Sequence, residues 1–160
     1  MIEFGSEKEN IFTMPFLIQE LEEKDNILKI KVALPQKADT KDLLDDITNI
    51  NIKNITEKAV PICADENEIY EIVFDSYIFH ITRNESYTGP DDEEICKGKY
   101  FIIFEKSKLL KFMPQLVECG LIDAMYPEGY VHYGVYCQNH IIDIIAADEP
   151  EIIKISRQEN

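Results

Sequence analysis

The stretch Y-V-H-Y-G-V-Y-C-Q-N-H-I-I-D-I-I, residues 130–145, sets His132, Cys137, His140 and Asp143 within a dozen positions of a chain that holds only three histidines. Imidazole, thiolate and carboxylate are the ligands of zinc. Cys, His and Asp are also the parts of a nucleophilic relay. Either chemistry requires the side chains to meet at one point.

Alternation along strands speaks against that meeting. With Gln138-Asn139 as a two-residue turn, strands Val131–Cys137 and His140–Ala146 form a hairpin. Cys137 then pairs with His140, Val135 with Ile142 and Tyr133 with Ile144. Their face, shared with Val131, is apolar and suited to a core. The opposite face carries His132, Gly134, Tyr136, Ile141, Asp143 and Ile145. Asp143 therefore points away from Cys137 and His140, and His132 lies on the wrong side to join His140 at a metal. If the turn is instead Asn139-His140, His140 becomes a turn residue and the four still fail to converge. The expectation is a hairpin, with Cys137 as a small buried hydrophobe and His140 as a donor beside the turn. No metal, cofactor or catalytic residue is assigned.

A second candidate is Y-I-F-H-I-T-R-N-E-S-Y, residues 77–87, where His80, Arg83, Glu85 and Tyr87 come together at a strand end. Such a group could house acid–base chemistry. The favoured reading is a turn anchored by an Arg–Glu pair and by an Asn side chain bonding its own backbone. The sequence contains no G-x-x-x-x-G-K-S/T, G-x-G-x-x-G, G-x-S-x-G or H-E-x-x-H. Only six glycines are available for a loop that would cradle phosphate.

The elements that must position these residues are mostly strands. The sequence is rich in isoleucine and has no tryptophan. Leu28, Ile30, Val32 and Leu34 alternate with Lys29, Lys31 and Ala33 as in a half-buried strand that Pro35 ends. Residues 16–22 fit a short helix or a strand equally. Glu68–Arg83 fits two strands broken near Asp75-Ser76, or one long bent strand. Lys99–Glu105 reads as a central strand, and Ile152–Ile155 as an edge strand.

Helices are few. Thr40 caps a short one, and Ser107 caps another whose Leu109, Leu110, Phe112, Met113, Leu116 and Val117 form an apolar face. Pro114 kinks the second or ends it early, and Gly120 fits the position just past its end. Residues 51–60 are weakly patterned. The first ten residues are polar and read as loose. The fold class expected is α+β: a mostly antiparallel β-sheet with one or two helices packed on one face, as a single domain over residues 1–160.

Charge narrows the function. The 160 residues carry 31 acids against 16 bases, a formal net charge of −15. That balance repels phosphate backbones and anionic lipids, so neither nucleic acid nor membrane is an expected partner. No basic stretch leads into an apolar one at the N-terminus, and no apolar run reaches the roughly 18 residues that span a bilayer. Cys63, Cys96, Cys119 and Cys137 are scattered with no C-x-x-C pair and read as buried thiols. A cytoplasmic protein is expected.

The acids gather on loops: Asp91-Asp92-Glu93-Glu94 follows Glu85 and Tyr87, and Asp148-Glu149 follows the hairpin. Carboxylates beside tyrosines suit a surface that docks onto a basic protein.

The runs F-D-S-Y-I-F-H-I-T-R-N-E-S-Y, G-K-Y-F-I-I-F-E-K-S-K-L-L-K-F and H-Y-G-V-Y-C-Q-N-H-I-I-D-I-I-A-A-D-E-P resemble a family of small acidic bacterial proteins. That family is similar in character to the immunity proteins of contact-dependent and polymorphic toxin systems. The likeness covers Glu68–Pro150. It implies a cytoplasmic, non-enzymatic binder that neutralises a cognate toxin, often a basic nuclease, and it carries over no functional residue. The expected contact residues are Glu85, Tyr87, Asp91, Asp92, Glu93, Glu94, Asp148 and Glu149. The alternatives are an enzyme built on His80, Arg83 and Glu85, and a homodimeric structural protein that pairs through an exposed strand.

Overall fold

The computed structural model describes residue 12 and residues 14–38, 61–89 and 91–155. The helix expected from Thr40, the segment 51–60 and the first ten residues lie outside them.

Among the described residues, nine strands form two antiparallel sheets. β1 (Leu17–Lys24), β2 (Ile27–Lys37), β3 (Ile62–Phe74) and β9 (Glu151–Ile155) make a four-stranded sheet in that order. The other sheet runs β4-β8-β7-β6-β5, with β4 at Tyr77–Asn84, β5 at Ile95–Lys97, β6 at Phe101–Lys106, β7 at Val131–Tyr136 and β8 at His140–Ala146. Helices α1 (Lys108–Phe112) and α2 (Cys119–Met125) are joined through a 3-10 turn at Met113–Gln115. The α+β class, mostly antiparallel sheet with two short helices among the described residues, is as the sequence indicates.

The segment 16–22, ambiguous in sequence, resolves as a strand, β1, over Leu17–Lys24. It turns into β2 through Asp25-Asn26, both at positive φ, as a tight two-residue hairpin with the strand twist requires. Leu28, Ile30 and Val32 are buried as their alternation indicates. Pro35 does not end β2. An irregularity between Ala33 and Pro35 shifts the register against β3, and the buried phase moves to Ala33 and Pro35. A proline at such a bulge gives up no ladder hydrogen bond.

The long β region breaks at Asp75-Ser76, and its halves belong to different sheets. The β8–β9 connection makes the same passage. Ser76 fastens the two corners: its carbonyl accepts from Ala147 N at 3.1 Å, and its hydroxyl accepts from Asp148 N at 2.8 Å.

Between the sheets lies an apolar core of Phe16, Leu28, Ile30, Ile72 and Phe74 from one side and Phe101, Tyr133, Val135, Ile142 and Ile144 from the other. Phe74 meets Tyr133 with ring centroids 5.4 Å apart. Phe16 ties the layers further, donating to Tyr136 O and accepting from Gln138 N. The hairpin register is the one derived from the Gln138-Asn139 turn: Val135 faces Ile142, Tyr133 faces Ile144, and Cys137 N donates to His140 O.

Helix α1 begins where Ser107 places it, with Ser107 Oγ accepting from Leu110 N at 3.0 Å. It lasts five residues and tightens into the 3-10 turn at Pro114, whose ring and missing N–H oppose a longer α-helix. Gly120 does not terminate a helix; it lies in the first turn of α2, which the apolar spacing alone did not reveal. Among the cysteines only Cys137 is buried. Cys63 and Cys119 are half-buried and Cys96 is exposed, because β5 is a three-residue edge strand with no cover.

A buried polar clamp and its cavity

The outer face of the five-stranded sheet carries a second set of buried residues, Ile102, Phe104, Ile141 and Ile145. At its centre stand two polar side chains that strand alternation puts on the same face, His132 and Asp143, only 2% and 1% exposed. His132 faces Ile145 in register and Gly134 faces Asp143, so the two side chains meet on a diagonal. Their Nε2···Oδ1 distance is 3.0 Å.

Arg83 completes Asp143 from β4, with Nε at 2.6 Å from Oδ2 and Nη2 at 3.0 Å from Oδ1. On the other side, His132 Nδ1 lies 2.8 Å from Ser107 Oγ. The Phe104 ring lies flat on the imidazole, centroids 4.0 Å apart and planes within 7°. Gly134 leaves the room for this: a Cβ there would meet the Tyr136 and Phe104 rings at 2.9 and 3.3 Å.

Burial pushes the Asp143 carboxyl up, but hydrogen bonds from His132 and Arg83 outweigh it and hold the group below its ordinary value. The same pairing raises Arg83 above its ordinary value, against the effect of its own burial. An ionised Asp143 accepts the Nε2–H of His132. Ser107 Oγ, which accepts from Leu110 N–H, bonds the other ring nitrogen, Nδ1, at 2.8 Å. Each polar group of the chain Arg83–Asp143–His132–Ser107 has a partner, as burial demands.

Serine, histidine and aspartate stand here in the order of a hydrolytic relay. A cavity of about 300 Å³ adjoins them, lined by Ile81, Arg83, Glu94, Lys108, Leu109, Phe112, His132 and Asp143. Ser107 is not in that lining. Its hydroxyl faces inward and caps α1, so Ser107 is not presented to the cavity as a nucleophile. Its evident physical role is to fix the helical layer to the sheet.

The sequence candidates are distributed as follows. Asp143 does point away from Cys137 and His140, and the four residues of the opening stretch do not converge. Burial pushes the Cys137 thiol up to about 12, and His140 is exposed at the turn. His80 and Arg83, three apart on one strand, face opposite sides. His80 Nε2 reaches Glu23 Oε2 of the other sheet at 3.3 Å. Arg83 pairs with Asp143, not with Glu85, which corrects the proposed turn anchor. The asparagine half of that turn is present: Asn84 Oδ1 accepts from Ser86 N at 3.0 Å.

Glu85 and Tyr87 form a 3-10 turn over the β7–β8 end of the sheet, where Glu85 N donates to Asn139 O. Tyr87 is 91% exposed. In the acidic loop, Asp91 accepts from Glu93 N and Glu94 N and is ion-paired with Lys108. Glu94 Oε1 accepts from Lys108 N at 2.9 Å, Glu93 lies 3.8 Å from Lys111, and Asp92 is exposed. Asp148 and Glu149 are exposed at the opposite end of β8, about 20 Å from its start at 3.3 Å per residue.

Sequence reasoning noted Ser107, Arg83, His132 and Asp143 separately but did not join them. The usable signal was His132 and Asp143 on one face of a buried hairpin, a pair that requires partners. No group of three or more His, Cys, Asp or Glu among the described residues is arranged to hold a metal ion. Nor is any described helix long and apolar enough to cross a membrane. No protein-family model matches this sequence, and no curated protein or solved structure matches it.

Proposed function

We propose that this chain is a non-catalytic binding protein of the immunity type, a bacterial cytoplasmic inhibitor that covers the working surface of a basic toxin such as a nuclease. The observation that carries the reading is Tyr87, held almost fully in solvent by a loop that is internally bonded. Asn84 caps the turn, Thr88 N and Oγ1 close it onto Glu85 O and Asn84 O, and Asp91, Glu94 and Lys108 brace the acidic run that follows. A large aromatic on a pre-ordered loop loses little freedom on binding and makes an effective anchor. Carboxylates around it steer a cationic partner inward. The resemblance of residues 68–150 to immunity proteins points the same way.

The bracing separates acids that hold the loop from acids that face outward. Asp91 and Glu94 serve the loop itself, so the clean variant is Tyr87→Ala with Asp92→Lys and Glu93→Lys. Immobilised wild-type protein, incubated with lysate of its own organism, should retain one basic protein in stoichiometric amount at low salt and release it at high salt. The variant should lose that protein. Retention by the variant with unchanged salt dependence would overturn the assignment of this loop as the contact.

A further inference from the structure

Four of the nine large apolar side chains that stand exposed among the described residues lie in one stretch: Phe112, Leu116, Leu121 and Met125, the last two each 61% exposed. Leu121 and Met125 are four apart in α2 and share a face. Residues 112–130 contain Glu118, Asp123 and Glu128 and neither lysine nor arginine. At one end of the stretch Phe112 lines the same cavity as Glu94. At the other, Met125 lines a second cavity, about 260 Å³, with Tyr126, Pro127, Glu128, Gly129, Ala147 and Asp148. The helical layer thus runs from the loop of Asp91–Glu94 to the turn of Asp148-Glu149, two acidic regions that strand geometry alone leaves apart.

We infer that the helical segment from Phe112 to Met125 is the central contact surface for a cationic protein partner, with apolar residues at its middle and the two acidic regions as its rim. This rests on the proposed binding function and extends it. Apolar centres with polar rims are the usual organisation of specific interfaces. Contiguous exposed apolar surface rimmed by polar groups marks interaction sites. Charge selects the occupant. A second copy would bring another −15 against this acidic face, and an anionic lipid surface would be repelled in the same way. A basic surface that also bears apolar side chains satisfies both features.

The test uses defined probes: a short amphipathic Lys/Leu peptide and a Lys/Ser peptide of equal length and charge, titrated calorimetrically into the full chain at low and high salt. The Lys/Leu peptide should bind the more tightly. Leu121→Ser with Met125→Ser should weaken it by about tenfold or more, leaving the Lys/Ser peptide and the thermal transition unchanged. Equal binding of both peptides, untouched by the substitutions, would overturn the helical surface while leaving an acidic binder standing. Binding of neither peptide at low salt would overturn the cationic-partner reading itself. A wild-type dimer in light scattering that the substitutions dissociate would overturn the choice of occupant in favour of a second copy.

Discussion

Arg83 grips both carboxylate oxygens of Asp143 across the β4–β8 pair, from 60 positions away in the chain. Asp143 is 1% exposed while the arginine side chain is 40% exposed, so the anion is the buried partner and the cation reaches it from the rim. Removing the arginine would strand a charge inside the protein. Removing the aspartate would leave His132 short of an acceptor. Asp143→Ala should therefore lower stability by about 3–5 kcal/mol, the range for breaking a buried pair, read as a shift in the urea midpoint. A loss near that of a surface substitution would show that the clamp is dispensable.

The acid limb follows from the direction of the Asp143 shift. Its folded value lies below the ordinary 3.8, so its contribution is fully present above roughly pH 4 and fades as pH falls through the folded value. Asp143→Asn should be markedly less stable than wild type at pH 7, with the gap narrowing below pH 4. Urea titrations at pH 7, 4 and 3 would reveal it. A gap independent of pH would show that ionisation contributes nothing.

Ser107 has two tasks, capping α1 and hydrogen-bonding His132 Nδ1. Ser107→Ala removes both and should cost about 2 kcal/mol, part from the lost cap and part from a buried nitrogen left alone. Ser107→Thr keeps the oxygen and should recover most of the loss if the added methyl is accommodated. Thermal melts of the two variants separate loss of the hydroxyl from general disruption.

Cysteine reactivity divides along burial. The Cys137 thiol, pushed up to about 12, should resist a thiol reagent at pH 8 in the folded protein, whereas exposed Cys96 should label. Mass spectrometry of peptides from native and denatured samples reads each site. Native labelling of Cys137 at the rate of Cys96 would contradict the packed hairpin.

Gly98 sits at φ +90°, and a Cβ there would lie 2.1 Å from the Phe101 carbonyl oxygen. Gly98→Ala should destabilise by roughly 2–4 kcal/mol, since backbone strain and a backbone clash combine. Gly129, also at positive φ but with open space around it, should lose only about 1 kcal/mol on the same change. A comparison of the two melts isolates the clash.

Local geometry was legible in the sequence where one element sufficed. Alternation and the Gln138-Asn139 turn gave the β7–β8 register, and Ser107 gave the start of α1. Pro35 misled because a bulge accommodates it, and Gly120 misled because a second helix begins beside it. The clamp escaped for a different reason. Each strand's alternation states which face a side chain takes, but not which distant strand lies alongside. Nothing local tells that β4 adds to β8, or that Arg83 arrives at Asp143 instead of Glu85. The region around Asp75-Ser76, read as two strands or one bent strand, likewise gave no sign that its halves serve different sheets.

That division of labour dictates how the chain can assemble. Among the described strands β4 has no neighbour but β8, and β3 receives its second neighbour only when β9 is in place. One late ribbon, residues 140–155, therefore completes both sheets, and Ser76 fastens its corner to the earlier one. The first half of the chain must wait with open sheet edges until this ribbon arrives, a high-contact-order route that slows folding. Once closed, the ribbon links the two sheets at the corner that Ser76 fastens, so opening at that corner disturbs both. Hydrogen exchange should accordingly find the amides of β3, β4 and β8 protected to a common depth, released together in a single global event.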